Sequence, residues 1–305
     1  MERRLLLASF LTLIVIYGYQ LMFVKAPQPG TTSAPAKAQT SVAPDASQAP
    51  APATTAGTGS GQAQATISEA SERQVVVETA SIQAVLSNRG AEILHWRLKD
   101  YKDINGRPVD LVPSGVPPTE PRPFSLAFDD SGLTTRGRDA LYRISGDSGG
   151  RLDATTATRT LVFEYEDASG FHVRKEFGFE PNTYIVQFSA NVRMGASELN
   201  PTVALGPSLG DLTPQPANAG FFRRATQTPP EALVHANGKV ARTALGRLGS
   251  ENVQEGAFRF AGVDDLYFMA AVTGQARTRA VYRPVTVPVD ADTQRQFVAA
   301  SFRFD

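Results

Sequence analysis

Cysteine is absent from this chain of 305 residues, which excludes both a disulfide framework and a thiolate metal site. An excess of charge of either sign is also absent, because 30 basic residues balance 30 acidic ones and no basic patch stands out. This balance argues against a nucleic-acid partner, since phosphate backbones are bound by clustered lysine and arginine.

Histidine is scarce as well, and the sequence contains only His95, His172 and His235. They follow no H-x-H or H-E-x-x-H spacing, so the pattern of a zinc site is missing. A glycine-rich phosphate loop, a dinucleotide fingerprint and a G-x-S-x-G nucleophile motif are missing too. We therefore predict no catalytic residue, no metal site and no small-molecule cofactor.

One long apolar run is present, from Leu5 to Val24, and its 20 residues carry no charge. At ~1.5 Å per helical residue this run can span a bilayer core of ~30 Å. Arg3 and Arg4 precede it and favour a cytoplasmic N-terminus. A cleaved signal peptide is the alternative, but the run is long and no A-x-A pattern follows it. We predict an uncleaved signal anchor over residues 1–25.

Residues 26–74 consist mainly of alanine, proline, threonine, serine, glycine and glutamine. A segment with so few large apolar residues cannot offset its chain entropy by burial, so we expect a disordered linker. A coil of this length has an r.m.s. span on the order of 40 Å. A proline-rich recognition segment is the competing interpretation, although a P-x-x-P core with flanking basic residues is missing.

An aromatic meander over Thr160–Val192 dominates the remainder of the sequence. Apolar and polar residues alternate with a period of two, as in a strand with one buried face. The polar loop 166–170 ends in glycine and has the composition of a hairpin connection. The predicted inner face comprises Leu161, Phe163, Tyr165, Phe171, Val173, Lys175, Phe177, Phe179, Tyr184, Val186, Phe188, Ala190 and Val192.

The other strand patterns in residues 75–305 are shorter. Turn signals at Asn88–Gly90 and Asn105–Gly106 separate alternating runs, and Leu94, Trp96 and Leu98 are expected to share one face. Residues 195–256 have few periodic apolar runs and are expected to be irregular, before strands resume near Phe258 and end at Phe304. We predict one large, antiparallel, all-β sandwich domain over residues 75–305.

Two pairs of residues are candidates for a catalytic site, and each has a purely structural alternative. His172 and Glu176 lie four apart on one strand face, a spacing that could suit acid/base work on a sugar, but it also describes any two solvent-facing residues. Asp264 and Asp265 precede an apolar run and are interpreted as a turn rather than as a carboxylate dyad.

Several blocks, in their order along the chain, resemble one known family. After the anchor and linker come Glu78–Ile93, Ser131–Thr134, Leu161–Val186 and Asp264–Val272. Together they resemble the N-terminal half of a bacterial YidC membrane protein insertase. The resemblance implies a first transmembrane helix and a periplasmic β-supersandwich, a fold shared with galactose mutarotases and other sugar-binding enzymes.

The resemblance also implies what to expect beyond this half. In the family, five further transmembrane helices follow and form a hydrophilic groove with an arginine. No second apolar run of 18 or more residues occurs before Asp305. We therefore expect a fragment of a longer reading frame or a split protein, which would not insert proteins on its own.

The expected protein is a single-pass, non-enzymatic inner-membrane protein with its main domain in the periplasm. The resemblance implies a chaperone-like role in membrane protein transport, with the bilayer, Sec translocon components and nascent membrane proteins as partners. Two alternatives remain open: a membrane-anchored, mutarotase-like sandwich that binds or processes carbohydrate, and an unrelated tethered envelope scaffold.

Overall fold

The computed structural model describes residues 64–103, 105–207, 209, 229–274, 276–288 and 294–305. The predicted anchor at Leu5–Val24 and linker residues 26–63 lie outside this part. The described residues form four antiparallel-dominated sheets, one α-helix, α1 (Ser131–Asp139), and one short 3-10 helix (Leu245–Arg247). The all-β prediction is confirmed.

Two of the sheets face each other in a first sandwich. Sheet 1 contains β1 (Ala65–Ile67), β7 (Arg143–Ser145), β9 (Arg159–Asp167), β10 (Phe171–Phe179), β11 (Val186–Met194) and β12 (Ser197–Leu199). Sheet 2 contains β2 (Gln74–Glu78), β3 (Ile82–Ser87), β4 (Glu92–Lys102), β5 (Pro108–Asp110) and β8 (Arg151–Asp153). Their facing side chains form one apolar core, in which Trp96 of sheet 2 stacks on Phe179 of sheet 1 at 6.4 Å between ring centroids.

The predicted meander is β9, β10 and β11, paired antiparallel with Phe177 opposite both Leu161 and Phe188. Its inner face is confirmed on β9 and β10, where the odd-numbered residues 161–165 and 171–179 are buried, and on β11 Val186, Phe188 and Ala190 are half-buried against the same core. Tyr184 is the exception. The third strand begins only at Val186, so Tyr184 lies in the connection and is 43% exposed.

The other two sheets form a second sandwich. Sheet 3 contains β6 (Leu126–Ala127), β13 (Thr202–Pro207), β16 (Asn252–Ala257), β19 (Arg277–Pro288) and β20 (Gln294–Phe304). Sheet 4 contains β14 (Glu231–Ala236), β15 (Lys239–Ala244), β17 (Phe260–Asp264) and β18 (Met269–Thr273). The core between them is rich in alanine and valine, and Tyr282 crosses it to donate a hydrogen bond to the Leu233 carbonyl at 2.9 Å.

The prediction of an irregular region at 195–256 is wrong for the described part of it, since β12 to β15 and most of β16 fall within it. Alanine is the most frequent residue in these strands, and its small side chain makes the alternation of buried and exposed positions faint. The buried positions become apparent only through pairing, as in β14, which lies between β15 and β17.

Two further local predictions need correction. Leu94 does not share the buried face of Trp96, because a register shift opposite Val85 and Leu86 puts an extra residue into β4 and turns Ile93 inward. Helix α1 occupies a segment expected to be part of the all-β pattern. Its N-cap is Asp130, whose side chain accepts a hydrogen bond from the Leu133 amide.

Strand pairing is described before residue 75. Strand β1 pairs with β9, and Arg73 binds Glu69 at 2.7 Å and Asp147 at 2.8 Å. Strand β1, Glu69 and Arg73 belong to the stretch predicted as linker, and they contact the first sandwich through strand pairing and ion pairs.

The two sandwiches are joined through shared packing. The Phe124 amide donates to the Ala204 carbonyl at 2.7 Å, and the Leu209 amide donates to the Leu111 carbonyl at 3.0 Å. Leu111 and Phe268 pack against both cores. The end of β4, the β10–β11 connection and the β17–β18 turn consequently meet at this junction.

Candidate interaction surface

The structure separates the predicted pair of His172 and Glu176. Glu176 pairs with Arg174, while His172 Nε2 lies 3.2 Å from Glu164 Oε1 on the neighbouring strand. Glu164 also pairs with Arg143, and the hydrogen bond from His172 is the largest effect that lowers the pKa of Glu164. The His172 side chain is only 9% exposed. This His–carboxylate couple therefore offers little access to a substrate.

The other histidines also contact neighbouring strands. His95 Nδ1 lies 2.7 Å from Asp110 Oδ2, and the His235 ring stacks on Phe260 at 5.0 Å between centroids. Asp265 forms the predicted turn, because its carboxylate accepts hydrogen bonds from the amides of Tyr267 and Phe268. Asp264 pairs with Arg242 instead of with Asp265.

Lys175 is a basic residue to which the sequence assigned no role beyond its place on the inner face of the meander. It lies on the aromatic face of β10 and is fully buried. Its ammonium donates to the carbonyl oxygens of Gly90 at 2.7 Å, Ala91 at 3.2 Å and Phe124 at 2.8 Å. All three residues have positive φ, so the ammonium ties two left-handed turns to the meander.

Burial lowers the pKa of Lys175 to about 7, and the nearby carboxylate of Glu92 opposes this decrease. Burial in turn raises the pKa of Glu92, against the hydrogen bond from Ser125 and the charge of Arg122. The three carbonyl acceptors match the three donors of an ammonium group. Since no donor or acceptor is left for a substrate, we interpret Lys175 as a structural cross-link between sheets 1 and 2.

One feature of the described surface is apolar. We use the name aromatic patch for five exposed residues at the junction of the sandwiches: Tyr101, Tyr184, Ile185, Leu266 and Tyr267. Tyr267 is the most open of them, at 81% exposure. Single exposed apolar residues are common, but a contiguous group is typical of a binding surface.

Ring contacts connect the three segments of the aromatic patch. Tyr101, near the end of β4, lies 6.2 Å from Tyr184 and 5.4 Å from the partly buried Phe268, measured between ring centroids. Tyr184 donates a hydrogen bond from its hydroxyl to Asp100 at 2.9 Å, which raises the pKa of Tyr184. Tyrosine with an apolar ring and a hydrogen-bonded tip is favoured at protein interfaces.

The β17–β18 turn explains why two members of the patch project outward. Asp265 holds the turn through its carboxylate, and its amide donates to the Phe268 carbonyl at 2.9 Å. Phe268 packs inward, so Leu266 and Tyr267 occupy the tip. Sequence reasoning identified this turn but could not show that Tyr101 and Tyr184, far away in the chain, would lie beside it.

Among the residues that the structure describes, no three His, Asp or Glu side chains are grouped closely enough to hold a metal ion. In the same residues, no helix has the length and apolar character needed to cross a membrane. The predicted anchor lies outside that part of the chain.

Comparisons with known proteins agree with the fold. A family model described as the YidC periplasmic domain matches residues 74–302. The chain is 27% identical over 287 residues to the membrane protein insertase YidC of Geobacter metallireducens, covering 90% of this chain and 49% of that protein. It is 28% identical over 312 residues to the YidC of Citrifermentans bemidjiense, covering 98% and 54%. The chain thus spans about half the length of these relatives.

The two joined antiparallel sandwiches define the described part of the chain as a β-supersandwich domain. Because the family model covers most of the chain, the protein belongs to the YidC family, and this domain is the periplasmic domain of that family. The resemblance drawn from the sequence blocks is confirmed.

Proposed function

We propose that this chain provides the membrane anchor and the periplasmic interaction domain of a YidC-type insertase. In this role it assists the insertion, folding or assembly of inner-membrane proteins through protein–protein contacts and performs no chemistry of its own. The aromatic patch is the observation that carries the proposal, because it is exposed, rich in tyrosine and built from three segments that meet at one junction. Tyrosine residues supply much of the binding energy at protein interfaces.

The proposed location follows from the N-terminal sequence. Leu5–Val24 anchors the chain in the inner membrane, Arg3 and Arg4 keep the N-terminus in the cytoplasm, and the supersandwich lies in the periplasm. The patch would then meet proteins as they emerge from the bilayer. Translocon components and nascent membrane proteins are the proposed partners.

Site-specific crosslinking tests this role. A photoreactive phenylalanine analogue replaces Tyr267 in one full-length chain and Val253 in a control chain. Val253 is also apolar and exposed but lies on β16, away from the patch. Each chain is placed in inner-membrane vesicles during translation of a radiolabelled single-span membrane protein, and the vesicles are then irradiated.

We expect labelled adducts, or adducts with translocon subunits, from position 267 and few from position 253. Equal yields at the two positions would contradict the proposal, because they would indicate random collision. Sugar binding that is lost on changing His172 or Glu176 would favour the carbohydrate alternative, although the burial of His172 argues against it.

A further inference from the structure

Within the described residues, strand β18 forms an unprotected edge of sheet 4. Among the described residues it pairs with β17 alone, and its sequence, Met-Ala-Ala-Val-Thr, contains neither charge nor proline. Natural proteins usually protect the edges of sheets with charged residues, proline or short strands, because free backbone groups can pair with another chain.

The other edge strands in the described part of the chain have such protection. The edge strands β1 and β6 have only three and two residues, respectively. The remaining ones carry a charged residue or proline: Lys239 and Arg242 in β15, Glu255 in β16, Pro108 and Asp110 in β5, Arg151 and Asp153 in β8, Arg143 in β7, and Glu198 in β12. Strand β18 therefore differs from every one of them.

The hydrogen-bond pattern shows which backbone groups face this edge. The Asp265 amide donates to the Phe268 carbonyl, and the Gly274 amide donates to the Arg259 carbonyl. Because hydrogen-bonded pairs alternate in an antiparallel ladder, Ala270 and Val272 bond to β17. The N–H and C=O groups of Met269, Ala271 and Thr273 consequently point away from β17.

These three residues are arranged symmetrically about Ala271. If a second β18 approached antiparallel, Ala271 would lie opposite its own equivalent, and Met269 would lie opposite Thr273. Every outward N–H and C=O group of the three residues would then have a partner. A contact in which both subunits use the same surface is the kind that closes a two-fold dimer.

The charges beside β18 are also self-complementary. Asp265 lies just before the strand, while the exposed Arg259 lies at its far end, where the Arg259 carbonyl accepts a hydrogen bond from the Gly274 amide. In the part of the chain that the structure describes, Asp265 has no basic partner. An antiparallel copy would bring the acidic end of one β18 to the basic end of the other, and opposite charges favour such pairing.

We propose that β18 pairs antiparallel with β18 of a second copy of this chain, so that two copies of sheet 4 join into one continuous sheet. This inference goes beyond the proposed function and does not depend on the aromatic patch. Five-residue strands bury little area, but anchoring both copies in one membrane would raise their effective concentration.

The absence of cysteine makes a direct test possible. Ala271→Cys is introduced into the full-length chain, which is expressed in bacterial membranes and oxidised. Facing residues of a hydrogen-bonded pair are ~5.5 Å apart between Cα atoms, within disulfide range. Ala241→Cys serves as the matched control, because Ala241 lies within β15, at the opposite edge of the same sheet.

We expect a disulfide-linked dimer from Ala271→Cys and little from Ala241→Cys. Equal yields would overturn the proposal, as would the absence of any dimer from a folded Ala271→Cys chain. If Ala271→Cys fails to fold, a chain with Met269→Cys and a chain with Thr273→Cys are expressed together, since both positions are exposed. A mixed dimer in excess of either homodimer is expected, and homodimers alone would refute the antiparallel arrangement.

Discussion

The two sandwiches reach the same architecture with different side chains. The core of the first is filled by large aromatic residues, such as Phe163, Phe171 and Phe177, around a buried lysine. The core of the second contains many small residues, including Ala232, Ala261 and Ala280. Large residues keep the strands of the first sandwich recognisable in the sequence, whereas the second depends on close approach of its strands.

Gly262 illustrates the packing of the second sandwich. A Cβ atom built on Gly262 would lie 2.1 Å from the Ala270 carbonyl oxygen and 2.6 Å from the Ala271 Cα. Both atoms belong to the backbone of β18, so a side chain at residue 262 would push β17 and β18 apart.

The largest expected effect is in the first core. Phe177→Ala removes a fully buried ring that contacts Phe163, Phe124 and Phe188, and we expect the free energy of unfolding to fall by ~3–5 kcal/mol. Denaturant titration measures the change. Arg174→Ala, on the solvent face of the same strand, is the control and should stay within ~0.5 kcal/mol. Similar losses for both variants would contradict the one-sided burial of the meander.

Lys175→Met should also destabilise the first sandwich, by ~1–3 kcal/mol, because three buried carbonyl groups lose their donor. The pKa of Lys175 is about 7 in the folded protein, below its ordinary value of 10.5. Between these values the unfolded state binds more protons, so the unfolding free energy of the unmodified protein rises with pH.

The difference in unfolding free energy between the unmodified protein and Lys175→Met should therefore be smallest below pH 7 and increase from pH 7 towards pH 10. Urea titrations across this range measure it. A difference that stays constant over the whole range would show that burial does not lower the pKa of Lys175.

Gly262→Ala tests how closely β17 and β18 pack in the second sandwich. The added methyl group must displace the backbone of β18, which should cost ~1–3 kcal/mol despite the small change in volume. Gly246→Ala is the matched control, because a Cβ there meets no atom within 4 Å. If the two variants unfold at the same denaturant concentration, the backbone of β18 lies farther from Gly262 than these distances indicate.

The contrast between the sandwiches also explains what could be predicted from the sequence. The alternating Phe, Tyr and Val residues of β9 and β10 predict strands, faces and pairing together, because each buried residue is large. Strands β14 (Glu231–Ala236) and β17 (Phe260–Asp264) combine small, apolar and polar residues without such a contrast between faces. Helix α1 was missed because Thr134, Thr135 and Gly137 are weak helix formers, and only the cap at Asp130 signals its start.

For the candidate surface, the sequence predicted the turn at Asp264–Asp265 but not the aromatic patch. Tyr101, Tyr184 and Tyr267 come from three distant segments, and only the folded arrangement brings the Tyr101 ring to Tyr184 and to Phe268, the neighbour of Tyr267. Tyr184 was predicted to be buried, since the alternation of the meander continues through it. The exposure of a residue at the end of a strand depends on where pairing stops, which alternation alone does not specify.

A substitution in the aromatic patch is expected to change stability least and partner binding most. Binding by a patch variant is therefore the most direct test of the proposed function. Tyr267→Ser should alter the free energy of unfolding by less than ~0.5 kcal/mol, because Tyr267 is 81% exposed. The measurement is the yield of translocon subunits or labelled membrane protein that co-purify with the full-length chain, with Val253→Ser as the control. We predict a clear loss for Tyr267→Ser at unchanged stability and none for Val253→Ser; an undiminished yield for Tyr267→Ser would contradict the assignment of the aromatic patch as the interaction surface.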